Sequence, residues 1–222
     1  MPRTARAALG NWCYHVLNRG NARAEVFHKP EDYAAFVGLF APACERISMR
    51  LVGWCLMPNH FHLVLWPRHD EDLGRWMQWL LTSHVRRYHK HYHSSGHVWQ
   101  GRFKAFPIQQ DEHFLTVLRY AERNALRAGL VKSAEDWLWG SLPSRMAPGG
   151  SDLLATPPVQ LPKNWPRLVN EPQSETEVAA VRASFVRGRP FGSETWTRRA
   201  ATKLGLESTL RPRGRPRKTV KK

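Results

Sequence analysis

Cysteine is nearly missing from these 222 residues: Cys13, Cys44 and Cys55 stand far apart, with no Cys-x-x-Cys spacing. An odd, scattered set argues against a disulfide scaffold or a cysteine zinc site, and points to a reducing compartment. The three thiols are then small buried apolar residues. Long hydrophobic runs are missing too. Nothing approaches the ~20 apolar residues of a membrane span, and no apolar run of roughly 7–15 residues follows the basic start, so neither a membrane nor a secretory signal is expected.

Acidic residues are scarce: 18 against 34 Lys plus Arg, for a net charge of +16. Such an excess opposes compaction and calls for a polyanionic partner, with nucleic acid the best fit. Over 181–222 there are 13 basic residues and 2 acidic ones, so most of the excess lies in the last part of the chain. Apolar residues are plentiful at 42%, enough for a real core, and ten tryptophans leave room for some exposed stacking surfaces.

The periodicities predict an order of elements. Trp12–Arg19 alternates and ends in the turn cluster Asn18-Arg19-Gly20-Asn21, which reads as a strand. Pro30-Glu31-Asp32 opens a helix expected to run to about Ser48. Arg50–Met57 and His60–Trp66 read as strands joined by the Pro58-Asn59 turn. Asp72 starts a second helix with a long apolar stripe, ending His-rich and broken at Ser94-Ser95-Gly96. His97–Gln109 reads as an extended hairpin or fourth strand kinked at Gly101, and Asp111-Glu112 opens a third helix reaching Gly129. The pattern β-α-β-β-α-β-α predicts an α+β fold: a ferredoxin-like split βαβ antiparallel sheet with helices on one face. Residues 1–142 form this domain, 143–173 a wrapping loop or linker, and 174–210 a small helical extension. Within the extension, helices are expected over Glu175–Val186 and Ser193–Leu204, while 211–222 is a basic, low-complexity tail.

Two constellations could carry chemistry. On a strand, His60 and His62 project from the same face, about 6–7 Å apart at Cα, and can share one divalent cation. The pair also fits two ordinary strand histidines. Tyr120 and Asn124, four apart on one helix, share a face. A phenol is a poor nucleophile until assisted, and the Asn124 amide oxygen could join two imidazoles as a third metal ligand. Tyr120 is equally readable as a core residue. Arg102 and Lys104 alternate with Phe103 and Phe106, which suits a single-stranded polyanion with bases on the rings, though both rings could simply be core. Arg86 and Arg87 read as solvated or phosphate-facing, and Arg213-Gly214-Arg215-Pro216 has the form of an AT-hook core or of a generic basic tail.

The segments MPNHFHLVL, WQGRFKAFPI and LRYAERNALRAGLV, in that order, resemble the HUH single-tyrosine transposases, and in particular their REP-associated tyrosine transposase branch. The likeness runs from about Trp12 to Ser141, and RGRPFGSETWTRRAATKLGLESTLRPRGRPRK is similar to the tail of that branch. The resemblance implies that His60, His62 and Asn124 bind Mg²⁺ or Mn²⁺ and that Tyr120 attacks a single-stranded DNA phosphodiester. The products would be a 5′-phosphotyrosine bond and a free 3′-hydroxyl able to attack back. It implies REP-type hairpin DNA as partner, and a cytoplasmic, nucleoid-associated chain. Many relatives carry Gln where Asn124 stands, and others write Asn-Pro for Asn124-Ala125. Two further readings stay open: a nucleic-acid-binding regulator on the same fold, and a metal-dependent nuclease that uses water. The sequence leaves monomer and homodimer equally open.

Overall fold

The computed structural model describes residues 8–211. Arg213 and Arg215 lie outside them, as does the expected tail apart from Arg211. The elements run β1 Cys13–Arg19, α1 Pro30–Val37, α2 Phe40–Arg46, β2 Met49–Met57, β3 His60–Pro67, α3 Asp72–Tyr92 and β4 Lys104–Ile108. They continue with α4 Glu112–Glu122, α5 Asn124–Arg127, α6 Ser141–Met146, α7 Trp165–Asn170, α8 Glu175–Arg187 and α9 Glu194–Leu204.

The strands form one antiparallel sheet in the order β2-β3-β1-β4, the ferredoxin-like topology the element pattern predicts. Side-chain alternation along β3 explains why the sheet has two very different faces. Phe61, Leu63 and Leu65 pack with Tyr14, Val16, Trp54 and Leu56 against Phe36, Phe40, Trp76 and Leu80 of α1–α3. Val64 points the other way, into a second core with Cys13, Val52, Phe106 and Ile108. Helices were expected on one face only, but α4 covers this second face with Phe114, Val117, Leu118 and Ala121, and Trp165, Val169 and Val181 close over it. The reason is physical: strands apolar on both sides need cover on both sides.

Three expected boundaries shift. The first helix breaks at Gly38-Leu39 into α1 and α2, because Pro42 has no N–H for the carbonyl one turn back and its ring would clash there. The fourth strand is only Lys104–Ile108. Residues before it turn over at Gly101, whose φ of +107° suits glycine, and Trp99 touches β1's end only through a single bridge to Gly20. The third helix pauses at Arg123 between α4 and α5, and ends at Gly129 with φ +71°. The extension matches expectation more closely. Ser174 and Glu177 form a capping box at the start of α8, Ser193 caps α9, and Gly205 ends it in the left-handed conformation.

Segment 143–173 wraps rather than hangs: Ala155 N–H donates to Leu51 C=O (2.8 Å), and Arg119 donates to Glu171 C=O (2.8 Å). None of the ten tryptophans is exposed, and Cys13, Cys44 and Cys55 are free thiols, with burial pushing Cys13 and Cys55 up to about 12. Among the described residues no helix is long and apolar enough to cross a membrane.

His84 of α3 is buried against Phe27, Phe36 and Trp99. Burial first, and the nearby Arg87 charge second, push its pKa from 6.5 down to about 4. The unfolded chain therefore takes up a proton near pH 6.5 that the folded chain refuses until about pH 4. Stability is full above that window and falls as pH drops through it, by about 1.4 kcal/mol per pH unit for each such histidine. Urea unfolding at pH 7 and pH 5 should show lower stability at pH 5, with a smaller loss in His84→Gln. An equal loss in the variant would refute this role for His84.

Candidate active site

The second face of the sheet brings the predicted site residues together. Met57 pairs with His60 across the two-residue turn Pro58-Asn59, so β3 begins with His60 and turns His60 and His62 toward α4. Their ring centroids are 5.1 Å apart with planes at 80°. Asn59 holds the first of them: its Nδ2 donates to Arg23 C=O (3.0 Å) and its Oδ1 lies 2.7 Å from His60 Nδ1. His62 Nδ1 lies 2.9 Å from Nε2 of His15, which reaches the same face from β1. In both His60 and His62, Nε2 makes no hydrogen bond to any described residue.

Electrostatics keep these rings uncharged. Burial lowers His60 to about 4, helped by Arg19 and Arg127, and lowers His15 to about 3. Burial also puts His62 well below 6.5, with His15, His60 and the arginines adding to it. Neutral imidazoles with a free Nε2 lone pair are the form that ligates a divalent cation.

Tyr120 faces them from α4. Its ring centroid is 5.7 Å from that of His62 and 6.2 Å from that of His15, in both cases nearly perpendicular. The helix reaches the sheet closely because β2 has a bulge between Leu51 and Gly53, and Gly53 has no side chain. A Cβ there would sit 2.5 Å from Leu118 Cδ1. Arg127 of α5 completes the cluster. Its Nη2 donates to Tyr120 Oη (3.2 Å) and to Asn124 Oδ1 (2.8 Å), and its guanidinium lies 4.2 Å from the Tyr120 ring centre. Arg127 Nη1 and Asn124 Nδ2 are buried donors with no hydrogen-bond partner among the described residues. The site is nearly shut: Tyr120 is 3% exposed and Asn124 3%.

Behind Tyr120, the side chain of Glu122 is fully buried and gathers four hydrogen bonds. Ser141 Oγ (2.6 Å), Arg145 Nε (3.2 Å) and Arg145 Nη2 (2.9 Å) reach Oε1, and Trp165 Nε1 (2.7 Å) reaches Oε2. Arg123 donates to Val169 C=O (3.0 Å) and also to Asn170 C=O, so the wrapping segment is pinned directly to the tyrosine helix.

His60, His62, Tyr120 and Asn124 thus come together. Arg102 and Lys104 do not join them; they are exposed and line a groove between β4 and the α8–α9 pair, where Arg187 and Lys203 add further positive charge. Arg86 and Arg87 sit on α3, over the opposite face; Arg86 is exposed, and Arg87 lies 3.7 Å from Asp32. Phe103 and Phe106 are buried, so both are core. Sequence reasoning missed His15, Asn59 and Arg127. Arg127 could have been found, being seven residues after Tyr120 and three after Asn124 on one helical stripe. Asp111, Glu112 and His113 also cluster, but Asp111 is the N-cap of α4 and accepts from His113 N–H and Nδ1.

The family model described as "Transposase IS200 like" matches residues 8–124. A protein of Haemophilus influenzae described as a "Putative REP-associated tyrosine transposase" is 27% identical over 117 residues, covering 48% of this chain and 66% of that relative. A solved structure of a REP-associated tyrosine transposase bound to a REP hairpin superposes with a TM-score of 0.53 at 19% identity, over 72% of this chain and 95% of that one.

Proposed function

The chain belongs to the IS200-like transposase family, and on that premise we propose that it cuts and rejoins single-stranded DNA at REP-type hairpins through a 5′-phosphotyrosine. The observation that carries this reading is the meeting of one phenol, one guanidinium and two neutral imidazoles from separate elements of the same chain.

Tyr120 is the nucleophile. Its Oη bonds to phosphorus while the bond to the 3′-oxygen breaks; the phenolic proton passes to solvent and the departing oxygen takes one up as a 3′-hydroxyl. Because the step is a phosphodiester exchange, the same hydroxyl can reverse it without an added energy source. Arg127 sets a positive charge beside the attacking oxygen, where it attracts the anionic phosphodiester. His60 and His62 would hold Mg²⁺ or Mn²⁺ through Nε2, which when bound supplies Lewis-acid polarisation of a non-bridging phosphate oxygen. Asn124 Oδ1 is the third candidate ligand. Here it accepts from Arg127, and becomes available when that guanidinium turns to a phosphate, its stronger partner. The basic groove at Arg102, Lys104, Arg187 and Lys203 tracks the rest of the strand. Tyr120 meets the histidines of its own chain, which supports action as a monomer, and a DNA substrate puts that action in the cytoplasm alongside the nucleoid.

The experiment uses hairpin oligonucleotides labelled at either end, with Mn²⁺ and a denaturing gel. The 3′-labelled fragment should stay with the protein and the 5′-labelled one should leave with a free 3′-hydroxyl. Reversed retention would refute the stated polarity. Tight binding without cleavage over a hairpin panel would favour a non-catalytic regulator.

A further inference from the structure

We propose that the groove along β4 seats unpaired DNA flanking a hairpin, with bases against an apolar floor, and does not take the hairpin's paired stem. The inference rests on the DNA-cutting reading above and deepens it.

The groove is a hollow of about 610 Å³ with two kinds of lining. Tyr14, Leu73, Pro107 and Leu204 are buried and make an apolar floor. Arg102, Lys104 and Lys203 are exposed at its edges, and Arg187 is half-buried there. Among the described residues no acidic side chain lines it. A second hollow of about 450 Å³ shares Gly74, Arg102 and Phe103 with the first, and adds Arg75 against a single acid, Glu71. The trough therefore continues along the start of α3.

This pairing of linings decides between two forms of DNA. A paired stem keeps its bases stacked inside and offers sugars and phosphates, so it would use the cations and leave the apolar floor wet. An unpaired strand satisfies both, with phosphates on the cations and base faces on the floor. The chain's own tail is a poor occupant. Residues 212–222 hold six Lys or Arg and no acid, and they leave from Arg211, whose carbonyl accepts from Arg187. Such a segment meets four like charges in the groove.

The far wall of the groove is fixed in place. Phe191, between α8 and α9, pairs with the edge of β4: its N–H donates to Pro107 C=O (2.9 Å) and its C=O accepts from Gln109 N–H (2.9 Å). Trp196 of α9 lies against Trp12, with ring centroids 5.4 Å apart. The family match ends at residue 124, so this wall comes from a part of the chain beyond it. Across the sheet, Leu17 of β1 stands opposite His62 on one side and Lys104 on the other. Lys104 is thus two strand spacings from His62, about 10 Å, and one DNA strand can reach both.

The test measures fluorescence anisotropy of two labelled probes in EDTA: a hairpin with unpaired flanks, and the same hairpin trimmed flush. Wild type should bind the flanked probe about tenfold more tightly or better, as one or two seated bases supply. A Cβ at Gly74, which borders both hollows, meets nothing within 4 Å. Gly74→Glu therefore puts a carboxylate in the groove without a clash, in the first turn of α3, where helix propensity and dipole both favour it. It should weaken the flanked probe about tenfold and leave the flush one unchanged. Lys203→Ala should lower the salt slope by about 0.7 for the flanked probe alone. Equal wild-type affinity for the two probes would overturn the proposal, as would equal weakening of both by Gly74→Glu. A wild-type dimer that Gly74→Glu dissociates in sedimentation would assign the groove to a second copy and overturn it too. Failure of the cutting reading is separate: no adduct with Mn²⁺, while the preference for flanks and its loss in Gly74→Glu stand, would overturn that reading and leave the groove's occupant as stated.

Discussion

Tyr120→Phe is expected to abolish the covalent protein–DNA adduct completely while leaving the fold intact. The substitution removes one atom, Oη, and keeps a ring of the same shape in the core of Val117, Leu118 and Phe114. The lost hydrogen bond is the 3.2 Å contact from Arg127, whose Nη2 retains Asn124 Oδ1 at 2.8 Å. One side-chain hydrogen bond with its donor still engaged is worth about 1 kcal/mol, a small part of a domain's stability. The chemical effect is of another order, since no other tyrosine can substitute. Tyr14 Oη is bonded to the Leu9 backbone, Tyr33 is buried in the core over the opposite face of the sheet, and Tyr88 and Tyr92 lie on α3 over that same face, Tyr92 tied to Asp32. Denaturing gels with labelled hairpin and unfolding curves for both proteins check the two halves of this expectation. Strand cleavage that continues at wild-type rate without an adduct would replace the tyrosine mechanism with a water nucleophile.

The largest effect on stability is expected from Glu122→Ala. This carboxylate, two residues beyond Tyr120, has no exposed surface and collects hydrogen bonds from Ser141, Arg145 and Trp165. Removing it leaves the Arg145 guanidinium, itself only 15% exposed, without its counter-charge and strands the Trp165 N–H. Breaking one side of a buried pair typically costs about 3–5 kcal/mol, more than the pair contributes over an apolar replacement. The double variant Glu122→Ala with Arg145→Met should therefore recover part of the loss, because the orphaned charge disappears with its partner. Urea midpoints of the three proteins decide it. A loss under about 1 kcal/mol in Glu122→Ala would mean that water reaches Arg145 and that the network is not buried in solution.

Much of this arrangement was readable from local pattern. Alternation put His60 and His62 on one face of a strand, and Ser193 and Gly205 marked both ends of α9, because periodicity and caps are properties of neighbouring residues. Pro42 was visible as well, but the apolar stripe from Tyr33 to Phe40 ran straight up to it and concealed the break. What was not readable depends on which strands lie side by side. His15 looks like any inward residue of β1 until β1 is seen to pair with β3, and only that register brings it to His62. The second covered face was hidden for a related reason: Trp165 and Val169 come from a segment rich in turn residues, and nothing local says that it folds back over α4. Arg127 shared a stripe with Tyr120 but was one basic residue among 34, where charge alone distinguishes none of them.

The closeness of the pocket around Tyr120 bears on what comes before any cut by the proposed mechanism. With 3% of the tyrosine exposed and His62 2%, no phosphodiester reaches Tyr120 Oη while the surrounding side chains stay where they are. Substrate entry on that mechanism includes a rearrangement, and the Arg127 contacts to Tyr120 and Asn124 are the ones a phosphate would replace. A site closed at rest in this way reacts only with a strand that binds well enough to open it, which makes opening itself a step of selection.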